Sequence, residues 1–149
     1  MGVDQKTRLG RLAYYIEGAK TLVKHNVYPL RLTLDGEVIE EEAFLVVIGM
    51  TQSIAGFENM VVDAELDDGL MHIFIIKELA GVDMVSLLPA LLSGDLKTHR
   101  QVTYAKTKGV RITSTEILHA NIDGDKGDPL PLELQVLPQH IRLLVNSVI

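Results

Sequence analysis

The chain of 149 residues contains no cysteine. That excludes disulfides and zinc–thiolate sites and accords with a reducing compartment. Positive charge is also scarce: 14 Lys and Arg stand against 20 Asp and Glu, for a formal net charge of −6. A nucleic-acid binder normally presents a basic face, so no nucleic-acid partner is expected, and the same balance weighs against broad adhesion to anionic membrane. No apolar run approaches the roughly 20 residues that a transmembrane helix needs. The opening segment MGVDQKTRLG lacks the apolar core of a signal peptide, and the expectation is a soluble, cytoplasmic chain. Gly-x-Ser-x-Gly, the P-loop and Gly-x-Gly-x-x-Gly are all missing, so nothing here cradles a phosphate unaided.

What is present is apolar and strand-like. The hydrophobic fraction of 47% leaves no long disordered segment, and the length suits one domain, residues 1–149, able to bury about two-thirds of its unfolded surface. The chain is organised around Gly49–Leu70, about twenty residues with no strong helical period between two buried-strand patterns, Ala43–Ile48 and Leu70–Ile76. Loops of that length inside compact domains are often functional. Before it, Leu9, Leu12, Ala13, Ile16, Ala19 and Val23 follow helical spacing and predict an amphipathic helix from Thr7 to about His25. A helix beginning so close to residue 1 points to a piece of something larger. From Pro29 the period becomes two, and Asp35-Gly36 offers a tight hairpin turn. Glu37–Glu42 returns along the partner strand, and Ala43–Ile48 follows as a central one.

After the long loop, Asp83–Ser93 reads as a second helix ended by Gly94, with Pro89 predicting a kink or break. The last third is all strand signals: Val102–Thr107, Val110–Ser114, Ile117–Ile122 into the turn Asp123-Gly124, then alternating Leu130, Leu132, Leu134 and Val136, and Ile141, Leu143 and Val145. About eight strands and two helical segments predict a mainly β fold, an antiparallel β-sandwich with an N-terminal helix and one inserted helix.

Two acidic stretches can carry chemistry. In Glu65-Leu66-Asp67-Asp68-Gly69-Leu70, adjacent carboxylates before a glycine provide the oxygen donors that hard cations such as Mg²⁺ prefer. The same letters also describe a plain acidic turn. In Asn121-Ile122-Asp123-Gly124-Asp125, a carboxylate held on a turn between strands can act as a general base, or be part of a solvated loop. No pair of histidines has helical metal-ligand spacing, and a partly exposed, structural role is the expectation for each, including His72 beside the acidic turn.

Taken in order, Leu9-Gly10-Arg11-Leu12-Ala13-Tyr14-Tyr15, the glycine loop ending at Phe57, Asp63-Ala64-Glu65-Leu66-Asp67-Asp68-Gly69-Leu70, Leu87-Leu88-Pro89-Ala90-Leu91-Leu92-Ser93-Gly94 and Asp123-Gly124-Asp125 resemble the C-terminal domain of the bacterial soluble diacylglycerol kinases, relatives of sphingosine and ceramide kinases. The resemblance runs from about Lys6 to Val145. It implies the C-terminal domain of an ATP-dependent lipid kinase forming phosphatidic acid, in which a separate N-terminal nucleotide-binding domain, absent from this chain, carries a Gly-Gly-Asp-Gly loop and binds ATP. It also implies a Mg²⁺ ion at the acidic turn, held by the Asp68 side chain and the carbonyls of Glu65 and Leu70, and a general base at Asp125. The implied partners are a lipid such as diacylglycerol, the chain's own nucleotide-binding domain, a membrane surface touched transiently, and a second copy in a homodimer. The chain alone is then expected to be inactive. It departs from the family pattern at Asp125, where Glu is usual, and at Met60-Val61-Val62, where Leu-Ala-Pro is typical. A non-catalytic β-sandwich module binding lipid or protein is the alternative reading.

Overall fold

The computed structural model of the chain describes residues 26–54, 60–62, 64–65 and 67–142. The predicted N-terminal helix from Thr7 to His25 lies outside them. The described elements are β1 (Tyr28–Leu34), β2 (Glu37–Gly49), β3 (Met71–Lys77), α1 (Gly81–Ser93), β4 (Val102–Thr107), β5 (Gly109–Ser114), β6 (His119–Ile122), β7 (Asp125–Pro129) and β8 (Leu132–Gln135). The fold is mainly β and antiparallel throughout. Six strands form one sheet in the order β4-β3-β2-β1-β5-β8, and β6 and β7 pair separately.

Both Asp-Gly turns form as the sequence predicts. Asp35 and Gly36 have φ of 26° and 95°, and Asp123 and Gly124 have 51° and 102°, the paired positive angles of the turn whose twist matches that of antiparallel strands. Elsewhere the structure corrects the expectation. Glu37–Glu42 and Ala43–Ile48 are one strand of 13 residues, because a bulge between Ala43 and Leu45 lets β2 pair with β1 over its first half and β3 over its second. The extra residue changes which face the side chains take: Ala43 precedes the bulge, and Val46 and Ile48 follow it, yet all three pack in the same core. The charged stretch after Gly124 is not a loop but β7, paired with β6. Ile141 is exposed and in no strand, against the prediction of one there. Pro89 does not break α1, which is continuous through it. A single lost backbone bond is outweighed by the packing of Leu87 and Leu91 on the sheet and by left-handed Gly94, whose N–H closes the end on the Ala90 carbonyl.

One connection fixes the overall shape. Only Lys108 separates β4 from β5, so Thr107 and Gly109 lie within about 7 Å of each other. In a flat sheet the four strand intervals between β4 and β5 would span about 19 Å. The sheet therefore rolls, as a sandwich does when a strand turns its corner. The concave side holds Leu32, Leu34, Ile73, Ile75, Val110 and Ile112, with others. The convex side carries a second core under α1 and the long loop, including Met60, Val61, Phe74, Ile76, Leu96 and Val102. β3 is buried on both faces, which is why its sequence is apolar with almost no alternation.

Two aspartates pin this arrangement. The Asp35 carboxylate accepts from the Thr107 hydroxyl at 2.7 Å and the Lys108 amide at 3.1 Å, tying the β1–β2 turn to the rolled corner. Asp83, the one charged residue of α1, points inward and is 2% exposed. It accepts from the Arg100 guanidinium, at 3.0 Å through Nε and again through its terminal nitrogen, and from the Ala80 amide and the Gln101 side chain. The Thr107 and Lys108 contacts hold the Asp35 carboxyl below its ordinary value of 3.8, and Arg100 does the same for Asp83 against the opposing effect of burial.

A carboxyl whose pKa is lower in the folded than in the unfolded state contributes stability that is complete above the unfolded pKa and is lost as pH falls through the folded one. Thermal melts taken from about pH 6 down to about pH 3 should therefore show stability falling away below 3.8. Asp83→Asn should lower the melting temperature at neutral pH and flatten that acid limb; a variant retaining the full limb would show that Asp83 does not contribute to it.

Candidate functional site

The loop between β2 and β3 is folded by its own apolar residues. Met60, Val61 and Ala64 are buried against Phe74, Ile76, Leu79 and Leu96. A backbone bond from the Val61 amide to the Gln52 carbonyl at 3.3 Å joins its two limbs, and one from the Ala64 amide to the Val61 carbonyl at 3.1 Å turns the second limb locally. Between the limbs opens a depression of ≈ 610 Å³ lined by Thr51, Gln52, Ser53, Ala64, Glu65 and Asp67. The acidic turn thus forms one wall of an open, polar-rimmed hollow.

Asp68 organises that turn. Its Oδ1 accepts from the Leu70 amide at 2.8 Å and its Oδ2 from the Glu65 amide at 3.2 Å, while its own N–H donates to the Glu65 carbonyl at 3.4 Å. Gly69, at φ 68°, supplies the left-handed residue that brings Leu70 round to Asp68. Burial pushes the Asp68 carboxyl up, but the amides of Leu70 and Glu65 and the His72 ring outweigh it, and the net pKa lies below 3.8. The carboxylate is thereby held ionised, the state that cation binding requires.

The expected metal ligands Glu65, Asp68 and Leu70 are thus gathered in one tight turn. Among the described residues no group of three His, Cys, Asp or Glu side chains is placed to hold a metal, so an ion on the Asp68 carboxylate would need backbone carbonyls and water to complete its oxygen shell. An ionised carboxylate has about four lone-pair sites, and the amides leave part of Oδ1 free. The donor chemistry fits a hard divalent cation that keeps most of its waters, Mg²⁺ being the ion of that habit.

His72 was not legible as part of this site. Against the expectation of partial exposure, it is 1% exposed, because on doubly buried β3 it takes the same face as Phe74 and Ile76, and it places Nε2 3.4 Å from Asp68 Oδ2 and Nδ1 2.7 Å from the Tyr104 hydroxyl. The one sequence signal was the four-residue separation of Asp68 and His72. Tyr104 gave none, since it meets His72 only through the β3–β4 register, in which Phe74 faces Tyr104.

Asp125 lies elsewhere. It is exposed, opens β7 directly after the Asp123–Gly124 turn, and pairs with Ile122. The turn is braced by Asn121, whose side-chain oxygen accepts from the Gly124 amide at 2.9 Å. Among the described residues the Asp125 carboxylate makes no hydrogen bond. Asp68 lies in the turn that leads into β3 of the six-stranded sheet, whereas Asp125 opens β7 of the separate β6–β7 pair, and the two share no hydrogen bond among those residues.

With the rolled sheet and the acidic turn established, comparison with known proteins defines the class. The family model for the YegS C-terminal NAD kinase beta sandwich-like domain matches residues 2–145, and the chain belongs to that family. It is similar to the diacylglycerol kinase of Staphylococcus carnosus, 36% identical over 138 residues that make up 93% of this chain and 45% of that protein. It is likewise similar to the diacylglycerol kinase of Staphylococcus aureus, 36% identical over 142 residues, 95% of this chain and 45% of that protein. The chain thus spans about half the length of the curated relatives it matches. A crystal structure of a diacylglycerol kinase from Bacillus anthracis shares the fold with a TM-score of 0.59 at 22% identity, over 87% of this chain and 44% of that one. Another structure from that organism reaches 0.68 at 23% identity, over 93% of this chain and 45% of that one. Among the described residues no helix is long and apolar enough to cross a membrane.

The turn geometry yields a stability prediction. Gly69→Ala places a Cβ in the left-handed region and 3.4 Å from the Pro138 ring, and should cost about 1–2 kcal/mol in urea unfolding. Gly81→Ala, whose added methyl meets nothing within 4 Å, should change stability by no more than about 0.5 kcal/mol.

Proposed function

We propose that this chain is the C-terminal, lipid-accepting domain of a diacylglycerol kinase and works with a nucleotide-binding domain supplied outside residues 1–149. The observation that carries the proposal is the 36% identity to diacylglycerol kinases over 93% of the chain. The rolled sheet and the ordered acidic turn support it. The substrates are then ATP and a lipid hydroxyl. The lipid oxygen forms a bond to the γ-phosphorus as the bond from that phosphorus to the β,γ-bridging oxygen breaks; ADP leaves and phosphatidic acid forms. Such transfers rely on positioning and charge stabilisation more than on covalent help from the protein.

In this reading Asp125 accepts the hydroxyl proton. Its exposure and lack of hydrogen bonds among the described residues leave both carboxylate oxygens available, and the Asn121-braced turn sets the direction from which it reaches. Asp68, assisted by the Glu65 and Leu70 carbonyls, would hold Mg²⁺ at the acidic turn, where the ion supplies fixed positive charge and rigidity. Reaching a bilayer-borne substrate requires transient contact with the membrane surface, and a second copy in a homodimer is the remaining partner in this reading.

Two measurements test this. Mg²⁺ should raise the melting temperature of the chain, because a ligand that binds only the folded state stabilises it by about 2.7 kcal/mol at one hundred times its dissociation constant. Asp68→Ala should abolish that rise, and an equal response in the variant would reduce the turn to a turn. In the parent protein, Asp125→Asn should lower phosphatidic acid formation by roughly 10²–10⁴-fold with the melting temperature unchanged. Unaltered turnover would remove Asp125 from the mechanism. The chain by itself should neither bind ATP tightly nor phosphorylate diacylglycerol.

A further inference from the structure

We infer that His72 and Tyr104 are positioning residues for the acidic turn: a one-way hydrogen-bond relay runs from the Tyr104 hydroxyl through the His72 ring to the Asp68 carboxylate and sets the orientation in which that carboxylate meets a divalent cation. The inference deepens the cation reading of the turn and rests on it.

The direction of the relay follows from what each group can do. An ionised carboxylate only accepts hydrogen bonds, so the His72 nitrogen facing it, Nε2 at 3.4 Å, is the one that carries the proton. In a neutral imidazole the other nitrogen is then an acceptor, and Nδ1 lies 2.7 Å from the Tyr104 hydroxyl, which therefore donates. The two rings stack with centroids 6.1 Å apart and planes 22° from parallel, while Tyr104 also packs on Phe74 at 5.0 Å. Tyr104 is a diagonal neighbour of His72 across the β3–β4 pair, a separation that aromatic side chains span.

Burial makes the relay rigid. The His72 side chain is 2% exposed and Asp68 is 18% exposed, so the imidazole has little access to water in place of its two partners. No buried side-chain nitrogen or oxygen is left unpartnered among the described residues. A histidine between Met71 and Ile73 on a strand buried on both faces costs free energy unless both nitrogens are bonded. Here one bond goes to the sheet and the other to the loop. The Leu70 and Glu65 amides that also hold Asp68 belong to the turn and move with it. His72 and Tyr104 connect the carboxylate to β3 and β4, the rigid part of the molecule. Partners of a ligating group that fix its orientation commonly govern metal affinity by 10–100-fold.

The test uses the full chain and three variants. Nitrogen-detected NMR of the cation-free wild type should show His72 protonated at Nε2 and bare at Nδ1; the opposite tautomer would overturn the relay. Tyr104→Phe keeps the ring and removes the hydroxyl that donates to His72, and should weaken Mg²⁺ affinity, read from melting temperature against Mg²⁺ concentration, by about 10-fold. His72→Gln should weaken it by about 10–100-fold, and His72→Asn serves the same comparison should Gln disturb folding. Wild-type Mg²⁺ affinity in every folded variant would show that His72 and Tyr104 only fill the core. A wild-type chain indifferent to Mg²⁺ would instead overturn the cation reading of the turn, and the relay's role with it.

Discussion

The single residue between β4 and β5 constrains everything else. Because Lys108 must carry the chain from one edge of the six-stranded order to a position beyond β1, the sheet cannot lie flat, and rolling it creates an inside and an outside. The inside becomes the core shared by β1, β2, β3, β5 and the end of β8. The outside, over β3 and β4, is left to α1 and the long loop. The Asp35 bonds to Thr107 and Lys108 hold the corner shut from the neighbouring hairpin, so a turn residue and a corner residue stabilise the same bend.

The acidic turn takes its place from the same geometry. It leads into β3, the strand buried on both faces, and rests on the convex core through Met60, Val61 and Ala64. Its local order comes from Asp68, Gly69 and Leu70, and its connection to the sheet from His72. The candidate base has a different footing: Asp125 rides on the separate β6–β7 hairpin, outside the rolled sheet.

Short-range chemistry was legible in the sequence and long-range registry was not. The Asp-Gly hairpins, the Gly94 helix stop and the apolar run of β3 each depend on a few adjacent residues, and each formed. The β2 bulge depends on pairing with two different partners, which Glu37–Ile48 does not advertise. β7 was hidden because Asp125-Lys126-Gly127-Asp128 has the composition of a loop, and pairing with β6 overrides it. Pro89 does not end α1, which runs on through it with Leu87 and Leu91 packed on the sheet. The acidic turn could be found from its letters; Tyr104 became its neighbour through a strand register set some thirty residues away.

The rolled corner also bears on how the chain reaches its native state. Leu30 on β1 pairs with Ser114 on β5, so the roll closes by joining segments separated by β2, β3, α1 and β4. Hairpins such as β1–β2 and β6–β7 form from local contacts in about 1–10 μs. Closure must instead overcome the entropy of a long intervening chain before its contacts can repay it, and topologies of this kind fold slowly for their size. Until β1 meets β5, both strands present unpaired backbone edges beside apolar side chains. During synthesis that interval lasts at least until residue 114 has emerged, and it is then that the chain is most exposed to pairing with a neighbour in place of itself.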